Sequence, residues 1–242
     1  MIPAPAFLSN PERFMAFSRW AAPMFGVMAA CLGLAGLWLG LHAPEDYQQG
    51  ATVQIMFIHV PAAWMSLFVY ACLGGASFLS LIFRHALADA AAQAAAPLGA
   101  TFTALALITG SLWGRPMWGT WWIWDARLTS VLVLFLFYVA YMALRASLDD
   151  EAKAARAGAI LALVGLINLP IVHWSVTWWN SLHQGTTVFA KGGPKMPAEY
   201  LTPLFCMVLC YMAAFGSLWL VRIRGEVWRK RAEAAALRVA RV

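Results

Sequence analysis

Long apolar runs separated by short polar segments dominate the hydrophobic pattern of this chain. Six of the runs are long enough to cross the hydrocarbon core of a bilayer, which is about 30 Å thick, at a helical rise of about 1.5 Å per residue. We predict transmembrane helices at about residues 20–41, 60–83, 94–112, 128–144, 157–173 and 201–221. The pattern indicates an all-α integral membrane protein in which one bundle of six transmembrane helices forms a single domain over residues 1–242.

The composition agrees with this prediction. Hydrophobic residues make up 62% of the 242 residues and charged residues only 12%, whereas a soluble domain carries about 25% charged residues. The four cysteines all fall within predicted spans and none forms a C-x-x-C pair. We expect them to pack as small, polarizable core residues.

The basic residues predict the orientation. With six spans both termini lie on the same side, and most of the 17 Lys and Arg residues fall in the segments on that side. The opposite segments contain only Arg115, Arg127, Lys191 and Lys195. The positive-inside rule therefore places both termini in the cytoplasm. We expect the basic tail over residues 222–242 to be a helix that lies along the anionic lipid surface. Alternatively, the tail is a docking surface for a cytoplasmic partner. We infer no nucleic-acid binding from the basic pI.

The connection between the third and fourth spans is unusually aromatic. Residues 113–127 read WGRPMWGTWWIWDAR and contain five tryptophans, one aspartate and two arginines. If the second half of this stretch is helical, Trp118, Trp121, Trp122 and Asp125 share one face, because they follow an i, i+3, i+4, i+7 spacing. We therefore expect a Trp-rich external loop helix.

This aromatic stretch has two interpretations. Tryptophan is common at the membrane–water interface, so the cluster can be an aromatic belt. A belt, however, flanks the spans and does not crowd into one connection together with charged residues. The alternative is a stacking platform for a large planar ligand, with Arg115 or Arg127 binding the ligand's carboxylates through charge-assisted hydrogen bonds.

Two histidines are predicted on the same external side as the tryptophans. His59 lies at the start of the second span, and His183 follows the fifth span beside a second aromatic cluster. His173 lies near the end of the fifth span and can simply hydrogen-bond to neighbouring backbone. A porphyrin fits this combination, because its ring is flat and apolar and its iron accepts two neutral imidazoles. Arg127 is then available for one of the anionic propionates.

Three segments resemble one family of haem-handling membrane proteins. The segment WGTWWIWDARLTS looks like the tryptophan-rich signature of the WWD-type proteins, and FIHVPAAWMS and HWSVTWWNSLHQG are similar to the two histidine-bearing segments of one branch. That branch is the cytochrome c maturation protein C (CcmC) family. The resemblance extends over essentially the whole chain in length, number of spans and topology, whereas the larger relatives with the same signature have many more spans.

The resemblance implies a haem-binding and haem-transfer protein of the bacterial inner membrane, with no catalytic residues. It assigns His59 and His183 as axial ligands of haem b at the periplasmic face. It also implies transfer of haem to the chaperone CcmE, alongside the ABC-type subunits CcmA and CcmB and the small membrane subunit CcmD. The implied haem platform consists of Asp125 and the signature tryptophans Trp113, Trp118, Trp121, Trp122 and Trp124.

Two other functions stay open from the sequence. A b-type cytochrome for electron transfer would also use paired histidines, but it would place them within facing spans, whereas these lie towards one side. A permease subunit for a small metabolite would need polar residues inside its spans. The predicted spans contain few such residues, with Asn168 as the chief exception. Because the chain has no G-x-x-x-x-G-K-[ST] motif, any energy from ATP would come from a partner.

Overall fold

The computed structural model describes residues 10–183, 185, 187–188 and 192–239, without the side chains of residues 237 and 238. Lys191 and the last residues of the basic tail therefore lie outside the described residues. A short 3₁₀ helix, Ala51–Ile55, leads into the second helix. In this part of the chain the α-helices are α1 (Pro11–Leu41), α2 (Met56–Phe83), α3 (Ala86–Trp118), α4 (Ala126–Ala146), α5 (Glu151–Gly165), α6 (Asn168–Trp178) and α7 (Ala198–Val239).

Six helical segments are long and apolar enough to cross a membrane, and α5 and α6 together form the fifth. The prediction of an all-α bundle with six transmembrane segments is confirmed, and the chain is a multi-pass membrane protein. The helices are longer than the predicted apolar runs because polar residues extend their ends. Helix α1, for example, begins at Pro11, whose missing N–H costs nothing there, and Asn10 accepts a hydrogen bond from the Glu12 N–H at 2.9 Å.

Contacts of α7 with α1 and with the connection that follows α1 distinguish the two ends of the bundle. At one end the Arg231 guanidinium lies 2.7 Å from the Glu12 carboxylate, so the start of α1 meets the last part of α7. At the other end the Tyr200 hydroxyl donates to the Pro44 carbonyl at 3.1 Å. We call these the terminal end and the loop end. The connections of the loop end are residues 42–55, 119–125 and 179–197.

Large aromatic side chains pack the centre of the bundle against small residues. Tyr70, Leu134 and Tyr138 are fully buried in one cluster, to which side chains of α2, α3, α4, α5 and α7 contribute. The Tyr138 hydroxyl donates to the Ser66 carbonyl at 2.9 Å, and the Tyr138 ring occupies the space that Gly99 leaves on α3. Because a buried hydroxyl needs such a partner, this contact specifies how α4 packs against α2.

The fifth span is broken into two helices, where the sequence predicted one. Pro170 cannot donate to the Leu166 carbonyl, and its ring would crowd that group, so the regular helix ends near this point. The chain crosses the break with tighter bonds, from the Leu166 N–H to the Leu163 carbonyl and from the Ile167 N–H to the Val164 carbonyl, both at 3.2 Å. As a result α5 packs against α2 and α4, whereas α6 packs mainly against α4.

Asn168, the polar exception in the predicted spans, lies at this break. Its side-chain amide donates to the Ser130 carbonyl of α4 at 2.8 Å, and the residue is buried. The hydrogen bond attaches the beginning of α6 to α4. Asn168 therefore has a structural explanation that requires no transport path through the spans.

The predicted external loop helix is wrong. Helix α3 ends at Trp118, because Gly119 adopts a left-handed conformation (φ 76°) and its N–H bonds to the Arg115 carbonyl. Helix α4 begins only after Asp125, whose carboxylate accepts the Leu128 N–H at 2.8 Å as an N-cap. Trp121, Trp122 and Asp125 therefore lie in a non-helical loop and share no helical face with Trp118. Gly119 ends one helix and Asp125 begins the next, so the helical spacing of the tryptophans between them does not produce a helix.

The basic tail is a direct continuation of α7 and not a separate helix. At the terminal end its Lys230 ammonium lies 3.2 Å from the Asp89 carboxylate, which also pairs with Arg145 of α4. Arg229 and Lys230 bind the Glu151 carboxylate of α5 at 3.1 and 3.0 Å. Together with the pair between Arg231 and Glu12 of α1, these ion pairs attach the tail to α1, α3 and α5, and they neutralise part of its charge within the chain.

Candidate functional site

A cavity of about 670 Å³ opens at the loop end of the bundle. Its volume lies in the range of about 300–1,000 Å³ that is typical of sites for organic ligands. Helices α2, α3, α4 and α6 and the connection before α7 contribute to its walls. Five of the residues predicted from the sequence line it, namely His59, Trp113, Trp118, Arg127 and His183.

His59 lies in the first turn of α2, and α3 determines its tautomer. Its Nδ1 lies 3.1 Å from the Thr109 hydroxyl oxygen. That hydroxyl donates its own hydrogen to the Leu105 carbonyl at 2.6 Å, so it accepts from His59 and Nδ1 carries the proton. The lone pair then resides on Nε2. Gly110 makes room for the ring, because a Cβ at this position would lie 2.9 Å from His59 Cε1.

His183 lies in a loop, and a network of short hydrogen bonds holds it. Its Nδ1 lies 2.9 Å from Oδ2 of Asp125, and its backbone N–H donates to the Ser181 hydroxyl oxygen at 3.1 Å. Ser181 in turn donates to the same carboxylate oxygen at 2.5 Å. The other carboxylate oxygen of Asp125 caps α4 through the Leu128 N–H. One aspartate thus ties the loop histidine to the start of a transmembrane helix.

Burial and hydrogen bonding act in opposite directions on the pKa values of Asp125 and His183. Burial raises the pKa of Asp125, but hydrogen bonds from Ser181, the Leu128 N–H and His183 outweigh it and leave the pKa below its usual 3.8. Burial lowers the pKa of His183 below 6.5, and the attraction of Asp125 offsets this only in part. At neutral pH the pair is therefore a carboxylate and a neutral imidazole. Because Nδ1–H donates to the carboxylate, Nε2 keeps its lone pair and becomes a better metal ligand.

Each imidazole packs against a tryptophan of α3. The Trp113 ring lies edge-on to His59 with 5.7 Å between the ring centroids, and its indole N–H donates to the Gln49 side-chain oxygen at 3.0 Å. The Trp118 ring lies 4.9 Å from His183, also edge-on. The cavity thus has a wall of indole rings beside both imidazoles.

Arg127 contributes a cation to the cavity from the first turn of α4. Its Nε donates to the Ser175 hydroxyl at 3.3 Å, and one terminal nitrogen donates to the His173 carbonyl at 3.4 Å. A guanidinium has five N–H donors, so these two contacts orient it and leave further donors for an anionic ligand. Arg115, the other predicted candidate, is exposed and lies outside the lining.

The remaining signature tryptophans lie away from the cavity lining. Trp121 and Trp124 have 56% and 75% of their surface exposed. The Trp122 ring packs edge-on to Trp124 at 5.5 Å, and its buried indole N–H has no hydrogen-bond partner among the described residues. The structure thus separates the five tryptophans into two that line the cavity and three that lie outside its lining. A role of Trp121, Trp122 and Trp124 in ligand binding stays a prediction.

The sequence as a whole matches one family. The family described as "Heme exporter protein C" matches residues 5–238. The chain belongs to the heme exporter protein C family. A relative with this name from Bradyrhizobium diazoefficiens is 54% identical over 224 residues, which cover 93% of this chain and 85% of the relative. Those from Paracoccus denitrificans and Escherichia coli K12 are 44% and 43% identical, over 95% and 91% of this chain and 96% and 89% of the relatives.

This membership confirms the resemblance to CcmC that the three sequence segments indicated. The residues in the cavity also fit the chemistry of a haem. Two neutral imidazoles could bind a haem iron through nitrogen, the indole rings would offer an apolar wall to its ring, and Arg127 could pair with a propionate.

Several supporting residues of this heme exporter protein C family member were not predicted from the sequence. Ser181 precedes His183 by two residues, and at this spacing a serine hydroxyl can accept the backbone N–H of the later residue. The contact of Ser181 with His183 could therefore have been predicted from the sequence. Thr109 is a polar residue and Gly110 a small one within an apolar span. Such a pair is typical of a position where a side chain of a neighbouring helix packs closely. Gln49 has no local signal, because only the folded chain brings it to Trp113.

Proposed function

We propose that this protein binds haem b in the loop-end cavity and transfers it to the haem chaperone CcmE during the biogenesis of c-type cytochromes. In this proposal Nε2 of His59 and Nε2 of His183 are the axial ligands. One observation carries the proposal. Two histidines from distant parts of the chain line the same cavity, and each has its Nδ1 bound to a hydrogen-bond acceptor.

The family membership supports the same ligand. The relatives from Bradyrhizobium, Paracoccus and Escherichia coli all bear the name heme exporter protein C. The placement of both histidines at one end of the bundle favours this function over electron transfer, because a b-type cytochrome would hold its haems between facing spans.

The cavity residues would hold haem in an unreactive state. The two imidazoles saturate the iron, so oxygen has no free coordination position. Trp113 and Trp118 lower the free energy of the apolar ring by shielding it from water. Arg127 binds a propionate by a charge-assisted hydrogen bond and thereby fixes the orientation of the ring. Release to the chaperone then requires the exchange of an axial ligand at the exposed side of the cavity.

The proposed orientation follows from the charge distribution. The terminal end carries most of the basic residues, so the positive-inside rule assigns it to the cytoplasm and the cavity to the periplasmic side of the bacterial inner membrane. We further propose that the protein works beside the ABC-type subunits CcmA and CcmB and the small subunit CcmD. Those partners would supply the energy of ATP, for which this sequence has no P-loop motif.

Absorption spectra of the protein purified in detergent with haem supply intact test the proposal. Wild type is expected to show a low-spin, six-coordinate haem, and His59→Ala and His183→Ala are each expected to lose this spectrum. His173→Ala is the matched control, because it removes an imidazole that lines the same cavity. A wild type without haem, or a spectrum that responds only to His173→Ala, would contradict the assignment.

A further inference from the structure

Gln49 lies in the connection between α1 and α2, and a tight turn fixes its backbone. Its N–H donates to the Asp46 carboxylate at 2.9 Å, and its carbonyl accepts a hydrogen bond from the Thr52 hydroxyl at 2.7 Å. Asp46 and Gly50 exchange two backbone hydrogen bonds across the turn. Gly50 permits this geometry because its φ of 54° is one that glycine adopts easily. The turn therefore holds Gln49 at the cavity that this residue lines.

The indole of Trp113 determines the orientation of the Gln49 side-chain amide. An indole nitrogen can only donate, so the amide atom that lies 3.0 Å from it is the oxygen. The amide nitrogen then carries two N–H donors, and neither has a partner among the described residues. Gln54 of the same connection differs, because its amide nitrogen donates to the Leu41 carbonyl at 3.2 Å. Gln49 thus brings an unused donor group to the cavity lining.

The cavity lining has fewer cations than the proposed ligand has carboxylates. Haem b carries two propionates, whereas Arg127 is the only arginine or lysine among the described residues that line the cavity. Arg115 and Lys195 lie outside the lining. A carboxylate that leaves water without gaining a hydrogen bond costs several kcal/mol, at least roughly. A second propionate in the cavity therefore requires a neutral donor.

Two other neutral side chains with a possible donor line the cavity, namely Trp118 and Thr187. The Trp118 ring packs edge-on to His183, with 4.9 Å between the ring centroids. The hydroxyl of Thr187 has one hydrogen, and it can rotate towards a backbone carbonyl instead of a ligand. Only the amide of Gln49 has its donors directed by a second hydrogen bond, the one from Trp113.

We propose that Gln49 is a specificity-determining residue whose amide nitrogen donates to the haem propionate that Arg127 does not bind. The inference rests on the proposed function. Arg127 binds one propionate as a cation, and Gln49 binds the other as a neutral donor. The two contacts together select a porphyrin with two free carboxylates and reject one in which both are esterified. Gln49 acts on the carboxylates and not on the iron.

The variant Gln49→Glu tests this inference in the full-length protein. The new side chain keeps an oxygen for the Trp113 indole, but it replaces the two N–H donors with a negatively charged oxygen. Repulsion between two carboxylates and the lost hydrogen bond should lower the affinity for haem at least roughly tenfold. The affinity for haem dimethyl ester should stay at the wild-type value. Absorption titrations of the purified protein measure both affinities, and the low-spin spectrum of the bound ligand should not change.

The matched control is Gln48→Glu, which adds the same charge to the neighbouring exposed residue outside the cavity lining. It should bind haem as wild type does. The double variant Gln49→Glu/Arg127→Leu tests whether the two residues bind different carboxylates. The two losses of affinity should then multiply, because contacts to separate groups act independently.

Several outcomes would overturn the inference. Wild-type affinity of Gln49→Glu for haem would mean that no carboxylate lies beside Gln49. An equal loss of affinity for haem and for its dimethyl ester would mean that Gln49 only supports Trp113. Equal losses in Gln49→Glu and Gln48→Glu would show a general effect of negative charge at the loop end. Losses that do not multiply in the double variant would place Arg127 and Gln49 on one carboxylate. A wild type that binds neither ligand would instead refute the proposed function itself.

Discussion

The two proposed iron ligands are held in contrasting ways. His59 belongs to a transmembrane helix, and its Nδ1 meets the neutral hydroxyl of Thr109. His183 belongs to a loop, and its Nδ1 meets the ionised carboxylate of Asp125 with Ser181 as a third member. The helix already fixes the backbone of His59, so only its tautomer remains to be selected. The loop holds the backbone of His183 less firmly, so the stronger hydrogen bond to Asp125 determines both the position and the tautomer of its imidazole.

The energies of the two contacts differ accordingly. A hydrogen bond between neutral groups stabilises by about 0.5–1.5 kcal/mol, and one to a charged group by about 1.5–3 kcal/mol. The same carboxylate caps α4, so the position of His183 is coupled to the first turn of that helix. We therefore expect haem binding to depend more on Asp125, the partner of His183, than on Thr109, the partner of His59.

The largest effect is expected from Asp125→Asn, which should lower haem affinity by about 10–100-fold, the usual cost of losing the partner of a metal ligand. The new side chain can still cap α4, but its amide would donate to His183 Nδ1 and favour the tautomer with the hydrogen on Nε2. Haem titration monitored by absorption measures the change. Asp150→Asn is the control, because Asp150 is an N-cap of α5 at the other end of the bundle. Equal losses in both variants would reduce the role of Asp125 to helix capping.

Arg127→Leu separates the iron ligands from the anionic groups of haem. Loss of a charge-assisted hydrogen bond should weaken binding by at least roughly tenfold, while the low-spin spectrum of the bound fraction stays unchanged. Haem with esterified propionates should bind wild type and variant equally. Arg115→Leu is the control, because Arg115 lies outside the cavity lining. An altered spectrum in Arg127→Leu would show that this residue positions the imidazoles instead.

A smaller effect is expected from Thr109→Val, which removes the acceptor for His59 and keeps the shape of the side chain. Affinity should fall about threefold to tenfold, as for a neutral hydrogen bond. Thr101→Val is the matched control, because Thr101 is an exposed residue of α3 whose hydroxyl donates to the Pro97 carbonyl. An equal loss of affinity in Thr109→Val and Asp125→Asn would contradict the greater dependence of the site on the partner of His183.

The smallest effect concerns pH. Burial lowers the pKa of His183 below 6.5 in the folded protein, so the imidazole stays neutral as pH falls through 6.5 and becomes protonated only below its shifted pKa. The stability that depends on the neutral imidazole is therefore fully present above pH 6.5, and it is lost as the pH falls through the pKa of His183 in the folded protein. The low-spin spectrum should therefore persist below pH 6.5 in an acid titration. A loss of the spectrum with a midpoint at or above 6.5 would contradict the burial of His183.

The sequence was informative where a feature depends on a long pattern. Six apolar runs were sufficient for the spans, and FIHVPAAWMS and HWSVTWWNSLHQG carried the family resemblance that the comparison with known proteins confirms. The orientation predicted from the basic residues stays a prediction. The predictions from the sequence were wrong where a single residue that ends, begins or interrupts a helix lay within a longer periodic or apolar pattern. Gly119 and Asp125 ended one helix and began the next, although the tryptophans between them kept helical spacing. Pro170 divided a span that hydropathy alone treats as continuous.

Other features required the folded chain. The contact between Asp125 and His183 joins residues far apart in sequence, and no spacing rule relates them. The same holds for Thr109 and His59, which come together only because α2 and α3 pack side by side. From the sequence Asp125 was expected to belong to the aromatic platform, and its hydrogen bond to the histidine was not foreseen.

The unbroken length of α7 has a mechanical consequence. At about 1.5 Å per residue, its 42 residues form a rod of about 63 Å. Near one end Tyr200 is bound to the Pro44 carbonyl of the loop end, and near the other Lys230 is bound to Asp89. Because α7 is attached near both ends, a displacement of the tail at the terminal end would be transmitted along this one helix to the connection that lines the cavity.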